Sequence, residues 1–456
     1  MAQAQGVLTI LDKLGLEKPA ALFALAFALR LAWLAFTGVS EPATFHPDSP
    51  MFLTLAAGPD WWQGSADRMP GYTLFLHLTM MPFGPDSYWA PIVVQMAIDA
   101  IACIAIARTA EIVKPGAGRY AGLFAALNPT QIVLAATMLG DTIFVACLAF
   151  GFLSLARLWK GEGGPAAIGF WFGLALFNRA VVWPFLPVLG LAIFLLKRGR
   201  IGVRDAVIVL GIVAAFAAPM ILRNGFVHGN FALSSQGPIH MALWWYPLVR
   251  EAEDGTPYPQ SFAEMRARYF ELRAGRAAPH GDRNPFDAAA IYRELTREYL
   301  WALPPQAFVK AWLSGMAINL ASPATLMIPQ VMKIRRIGFY DTEGETPLSK
   351  MRNFITDSST ARYLAWMAGG ALIEWPMRLL GVLGLWLLLR NRPTRAPAIF
   401  AIAWIGFILA VQGPVASAKY RLPIEPIAMA LAGAACAAGA HRRRDSFALW
   451  RRPDSV

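Results

Sequence analysis

Ten stretches of this chain are apolar for long enough to cross a hydrocarbon layer, and a soluble domain has no way to bury so many. They run roughly over residues 20–39, 88–112, 119–137, 141–159, 165–178, 181–197, 205–222, 366–389, 396–413 and 422–440. A helix needs about 20 such residues to span a bilayer core. With 56% hydrophobic and only 15% charged residues, the chain is too apolar for a water-soluble globule. The expectation is an all-α polytopic membrane protein of about 10–11 transmembrane helices. The shorter run 70–83 reads as a re-entrant or interfacial helix. Residues 1–18 carry Asp12, Lys13, Glu17 and Lys18, and no small-residue cleavage site follows the first apolar run, so the first span is expected to be retained.

The net charge of +12 does not point to nucleic acid. Its basic residues sit in short clusters beside apolar runs, such as Lys197-Arg198-Gly199-Arg200 and Arg442-Arg443-Arg444, where they act as topology signals and contacts for anionic lipid. With the N-terminus inside, Lys114 and Arg119, Arg157 and Lys160, Lys197 to Arg204, and Arg390 to Arg395 share the cytoplasmic side. The loops holding Asp48, Asp141, residues 223–306 and Lys419-Tyr420-Arg421 then share the other. Residues 307–330 fit this scheme as a non-crossing or interfacial element, although Lys333 to Arg336 then lie outside. Three parts follow: an N-terminal membrane module over 1–222, an outer loop region over 223–365, and C-terminal spans with a basic tail over 366–456. Within the loop region, turn dipeptides at Asp254-Gly255, His280-Gly281-Asp282 and Asn284-Pro285 separate short elements. The segment 287–303, opened by Asp287, is expected to be an amphipathic surface helix.

The chemistry-bearing residues gather on that outer side. Asp48, in His46-Pro47-Asp48-Ser49-Pro50, follows the first span; it is either the cap of the next helix or a catalytic base. Moving a sugar from a lipid phosphate to a hydroxyl needs one carboxylate to take the acceptor proton, because the phosphate leaves without strong acid help. Asp141, in Gly140-Asp141-Thr142, is a helix cap or a second acid that orients substrate or helps hold a cation. Arg179 lies between two spans with hardly any loop, and either snorkels to headgroups or offers a fork to a lipid phosphate. Arg223 and Arg421 are interfacial anchors or further phosphate ligands. Glu374 and Arg378 are four residues apart on one helix face and should pair. Asp99, inside the second span, has no partner that the sequence names. His46, His228 and His240 lack metal-ligand spacing, and the cysteines Cys103, Cys147 and Cys436 lie in apolar segments, suited to packing. No metal site is expected from these residues. A divalent cation beside the acidic pair is the one cofactor left open. No glycine-rich phosphate loop or Walker sequence points to a nucleotide.

Several of these segments, in this order, resemble the C-type (GT-C) membrane glycosyltransferases: Pro47-Asp48-Ser49, Arg68-Met69-Pro70-Gly71-Tyr72, Leu127-Asn128-Pro129 leading to Gly140-Asp141-Thr142, and Phe177-Asn178-Arg179-Ala180. Arg223 to Phe231, Ser234-Ser235-Gln236-Gly237 and Tyr420-Arg421-Leu422-Pro423-Ile424-Glu425-Pro426 are similar too. The nearest group is the bacterial one resembling dolichyl-phosphate-mannose protein mannosyltransferases and the aminoarabinose transferases of lipid A. The resemblance covers about residues 20–440 and implies a GT-C bundle with outer juxtamembrane helices. It further implies inverting transfer from a polyprenyl-phosphate sugar to an acceptor (lipid A or lipopolysaccharide, polysaccharide, or protein) on the periplasmic face of a bacterial inner membrane. Asp48 stands where that family has its first-loop acid. Asp141 would assist; Arg179, Arg223, Arg421 and Arg68 would hold phosphate; Tyr72, Gln236 and His240 would touch substrate. Two departures are plain: the first loop has one acid, Asp48, where many relatives have two, and Gly237-Pro238 stands where a glycine pair is common. Rival readings are a transporter or flippase of a lipid-linked or amphiphilic solute, whose path Asp99, Glu374 and Arg378 would line, and an O-antigen ligase or polymerase.

Overall fold

The computed structural model describes residues 15–40, 44–58, 66–84, 86–276, 284–335 and 347–450. The turn expected at His280-Gly281-Asp282 and the first fourteen residues lie outside them. Among the described residues every regular element is a helix, as the apolar runs require: in hydrocarbon the backbone must satisfy its own hydrogen bonds. Eight helices are long and apolar enough to cross a membrane, and a further apolar helix, Pro165–Asn178, is shorter.

The first half comprises α1 (Pro19–Thr37), α2 (Ser49–Ala57), α3 (Gly71–Met80), α4 (Trp89–Val113), α5 (Gly118–Leu127), α6 (Pro129–Ala135), α7 (Asp141–Lys160), α8 (Pro165–Asn178), a 3-10 turn over Ala180–Phe185 leading into α9 (Leu186–Lys197), and α10 (Gly199–His228). The short α3 occupies the run expected to be re-entrant. The expected span 119–137 is corrected: it is two helices, broken at Asn128-Pro129. A residue before proline is pushed out of the helical region, and Asn128 is extended there (φ −64°, ψ 114°), its side chain capping Thr130 N. Thus α6 ends early, and residues 136–140 form a turn leading into α7.

Outside this bundle lie α11 (Gln236–His240) with a π turn at Met241–Trp245, α12 (Tyr246–Asp254), α13 (Tyr258–Ala274), α14 (Pro285–Leu295) with a π turn at Thr296–Leu300, and α15 (Pro305–Ala321). They pack around their own apolar cluster, including Val249, Met265, Leu295 and Ala311. The amphipathic helix expected from Asp287 starts earlier, capped by Asn284 with Pro285 in its first turn. At 17 residues α15 is not among the eight, and its polar contacts keep it beside the end of one later helix: Trp312 Nε1 donates to Ala410 O at 3.1 Å and Asn319 Nδ2 to Val415 O at 3.0 Å.

The chain returns through α16 (Pro329–Met332), α17 (Pro347–Thr356), α18 (Ser358–Arg390), α19 (Arg395–Gln412), the single turn α20 (Ala418–Arg421) and α21 (Glu425–Trp450). The last helix packs against α18 and also against α5 and α4, closing the bundle around a core that includes Phe172, Phe185 and Trp404.

Two buried charge clusters hold this bundle. Asp99 is paired after all: Arg30, fully buried in α1, donates Nε to Asp99 Oδ2 at 2.5 Å, while Gln131 Nε2 reaches Oδ1 at 3.1 Å. Arg30 also bonds Ala26 O and Ala126 O, so an intramembrane arginine is satisfied on several sides. Glu374 pairs with Arg378 as the i, i+4 spacing predicts, and also with Arg421.

Candidate active site

The first loop is pinned to the turn that precedes α7. Met138 N donates to Thr44 O at 2.9 Å, Ser49 Oγ donates to Met138 O at 2.8 Å, and His46 N donates to Ser49 Oγ. Ser49 thereby ties the first loop to the turn before α7, and Asp48, at the cap position of α2, makes no side-chain cap bond. Its carboxylate points elsewhere, 3.4 Å from Lys419 Nζ and 3.4 Å from His46 Nδ1. Asp141 sits in the first turn of α7, whose cap residue is Gly140, and is almost fully buried. Arg179 Nη1 lies 3.1 Å from Asp141 Oδ1, so this guanidinium turns inward to a carboxylate instead of outward to headgroups.

These residues line one cavity of about 900 Å³. Close packing brings its walls together. A β-carbon at Gly140 would come within 2.9 Å of Tyr72 Cβ, and one at Gly71 within 2.7 Å of Phe177 O. Tyr72 is buried, donates to Gln95 Oε1 at 3.3 Å, and meets Phe52 edge-on. Gln95 in turn donates at 2.7 Å to both Ala135 O and Thr137 O, fastening α4 to the end of α6. On the opposite wall Ser235 N donates to Ala66 O at 2.9 Å, stitching the start of α11 to the segment 66–70. The Gln236 amide is assigned with its nitrogen toward Asp67 O (3.2 Å) and its oxygen toward Arg68 Nη1 (3.0 Å), the orientation that satisfies both. The π turn after α11 brings Trp244 and Trp245 to the cavity, and His240 stacks on Trp244 with ring centres 5.3 Å apart.

Of the residues expected from sequence, Asp48, Asp141, Arg68, Arg179, Tyr72, Gln236 and His240 all line this space. Arg223 and Arg421 do not. Arg223 lays Nη2 on Asn224 Oδ1 at 2.7 Å. Arg421 is 2% exposed, and its five N–H groups are all engaged: Nε with Glu425, Nη1 with Asn319 O and Ser322 O, Nη2 with Thr130 Oγ1 and Glu374. A guanidinium so occupied has no donor left for a phosphate. The cation that the turn does present to the cavity is Lys419, two residues earlier, which the sequence offered no reason to prefer. Asp67, Asn178, Trp183, Trp244 and Trp245 are further lining residues not anticipated. The Trp244-Trp245 pair, eight and nine residues after Gln236, was the available signal for the last two.

Electrostatically the cavity is balanced: Arg68, Arg179 and Lys419 face Asp48, Asp67 and Asp141. The hydrogen bond with His46 holds Asp48 well below the ordinary carboxylate range, and Lys419 and Arg68 reinforce this against desolvation. Burial, with Arg68 and Lys419 nearby, pushes His240 down to about 4, so this ring is neutral at neutral pH. The two tautomers of His46 serve different neighbours. With the proton on Nδ1 the ring faces Asp48 Oδ2 and accepts from Lys419 at Nε2 (3.4 Å); with it on Nε2, Nδ1 accepts from Asp48 N at 3.2 Å. Among the described residues no group of three or more His, Cys, Asp or Glu side chains is placed to hold a metal ion. The two catalytic candidates each face a cation of the chain instead of each other.

Among solved structures the chain is similar to the apo oligosaccharyltransferase of Archaeoglobus fulgidus, with 12% identity and a TM-score of 0.50 over 96% of this chain and 52% of that one. It also aligns with ArnT from Cupriavidus metallidurans bound to undecaprenyl phosphate, with 16% identity and a TM-score of 0.34 over 92% of this chain and 78% of that one. No family model and no curated protein sequence matches it. The first likeness gives the fold: the expected all-α polytopic bundle is arranged as in that oligosaccharyltransferase, and the chain spans about half its length.

Proposed function

We propose that this protein is a membrane glycosyltransferase that moves a sugar from a polyprenyl-phosphate donor to a hydroxyl acceptor. The observation that carries the reading is the single cavity in which Asp48 and Asp141 face Arg68, Arg179 and Lys419. A part-exposed carboxylate, Asp48, beside cations that can meet a phosphate matches what this transfer demands.

In the proposed reaction Asp48 takes the acceptor hydroxyl proton as the acceptor oxygen bonds to the anomeric carbon. The bond from that carbon to the donor phosphate breaks, and its electron pair leaves on the phosphate oxygen. Arg68, Arg179 and Lys419 stabilise the growing phosphate charge. Displacement at one carbon by one nucleophile inverts its configuration. The Trp244–His240 stack supplies a surface for a sugar ring, with Tyr72 backing the cavity wall, and the sugar, a hexose or a pentose, sits between the stack and the carboxylates.

The acceptor belongs to the cell envelope: lipid A or lipopolysaccharide, a polysaccharide, or a protein. The distribution of charge supports a bacterial inner membrane with the cavity toward the periplasm. Lys114, Arg157, Lys160, Lys197 and Arg390 lie at or near the other ends of α4, α7, α9 and α18, where they meet anionic lipid and keep that side cytoplasmic. Transport reads less well, because the charges that a path would use are committed elsewhere: Asp99 to Arg30, and Glu374 to Arg378 and Arg421.

The test is sugar release and transfer by the purified protein in proteoliposomes supplied with polyprenyl-phosphate sugars. The Asp48→Asn variant, inserted and folded, is expected to lose at least about 100-fold in rate, the usual worth of a positioned base. An Asp48→Asn variant with parental activity removes the assignment. Vectorial movement of the lipid-linked solute without sugar release supports a transporter instead.

A further inference from the structure

Each cation of the cavity stands beside a carboxylate, so an arriving phosphate competes with the chain's own ion pairs. The cavity's three cations are matched by three carboxylates, and the closest pairings are Lys419 with Asp48 at 3.4 Å and Arg179 with Asp141 at 3.1 Å. The two pairs are not built alike. Asp141 is buried to within 2% on its side chain, and Arg179 is a planar fork whose position is set by the end of α8. Asp48 is 36% exposed on its side chain, and Lys419 is a point charge on a flexible stem with three donors.

The backbone under Lys419 is, by contrast, fixed. Ser417 N donates to Asn319 Oδ1 at 2.8 Å, the Ser417 hydroxyl caps Lys419 N, and Arg421 at the end of the same turn is bonded on all sides. A flexible cationic stem on an immobile turn, between a half-exposed carboxylate and an open cavity, has two places to put its charge. We propose, building on the glycosyltransferase reading, that Lys419 is a two-position cation: it holds Asp48 while the cavity is empty and turns to the donor phosphate when that arrives, freeing the carboxylate to act as the base.

The consequence is that donor binding and base activation are coupled through one side chain. The His46 hydrogen bond is the larger hold on Asp48 and Lys419 the smaller, so the departure of Lys419 raises the carboxylate's proton affinity in part, while His46 keeps it oriented. The other groups facing Asp48 stay in place during the exchange: His46 on its own loop and Arg68 on the segment before α3. Further around the cavity, Asp67, Tyr72, Asp141, Arg179, His240 and Tyr420 complete the set of charged and titratable side chains. Of the cations beside Asp48, Lys419 makes the closest contact and carries its charge on a flexible stem. It acts on the proton transfer through Asp48 and is therefore a positioning residue.

The coupling is read most directly from binding, without knowing the sugar. Polyprenyl phosphate is titrated into purified parent, Asp48→Asn, Lys419→Met and the double variant. Removing Lys419 is expected to weaken binding by about 10–100-fold, the worth of a hydrogen bond to a charged group. Removing the Asp48 charge releases Lys419 and is expected to tighten binding by roughly threefold to fivefold, as for a partly exposed ion pair. That gain should vanish when Lys419 is already Met. Asp48→Asn that binds no tighter than the parent, or a gain that persists without Lys419, overturns the inference. Lys419→Gln serves as the second variant should Lys419→Met fail to fold. Absence of polyprenyl-phosphate binding by the parent would count against the proposed donor itself, and so is distinguishable from failure of the coupling.

Discussion

Lys419 and Arg421 occupy the same helical turn, two residues apart, and have opposite fates. Lys419 meets Asp48 and His46 at 3.4 Å in an open cavity. Arg421 is enclosed by Glu374, Glu425, Thr130 and two backbone carbonyls, and Asn128 Nδ2 completes the cluster by donating to Glu425 Oε2 at 2.8 Å. This second cluster ties α6, α15, α18 and α21 together at one point. One charge is available for work, and the other is spent on architecture. The difference lies in saturation: a guanidinium with five engaged donors holds helices in place, while an ammonium with loose contacts remains free to exchange partners.

If that contrast is right, the largest effect on stability comes from the closed cluster. Arg421→Met leaves Glu425 as a buried charge without its cation and Glu374 with Arg378 alone, and should cost about 3–5 kcal/mol. Denaturant-titrated unfolding of the purified protein measures this, and a loss below about 1 kcal/mol would mean that the cluster does not hold the bundle. Lys419→Met is expected to change stability by no more than about 1 kcal/mol in the same assay, because its partner is partly exposed. Equal losses for the two variants would break the comparison. A third effect shows only in acid and concerns His240, which lines the cavity. Its folded value of about 4 lies below the ordinary histidine value of 6.5. Between these pH values the unfolded chain binds a proton that the folded chain does not, so stability falls as pH drops through the window. His240→Phe should flatten unfolding curves between about pH 6.5 and 4 while leaving the neutral-pH value nearly unchanged.

Much of the fold was legible because the bilayer imposes a crude rule. A run of about 20 apolar residues must become a helix or leave its backbone unsatisfied. Eight of the ten runs became helices of spanning length for that reason. The run over 119–137 did not, because composition scanning passes over a proline whose effect falls on the residue before it, Asn128. The site was legible in part by the same logic: charges and prolines clustered at one end of the spans mark where chain and water meet. Arg30 shows the limit. Its presence in the first span was visible, but its partner Asp99 lies 69 residues away, and no local spacing links them.

The sequence by itself determined that this chain is a helical membrane protein, that Asp48, Asp141, Arg68 and Arg179 lie near one end of it, and that Glu374 and Arg378 share a helix face. Each follows from local rules of length, period and side. Only the tertiary structure decided which cation faces Asp48. Two residues along a helical turn are about 200° apart around its axis, so of Lys419 and Arg421 one must face the cavity and the other the packed interior. Which one does so is set by the helices that close on that turn, α6, α15 and α18, none of which is near it in sequence.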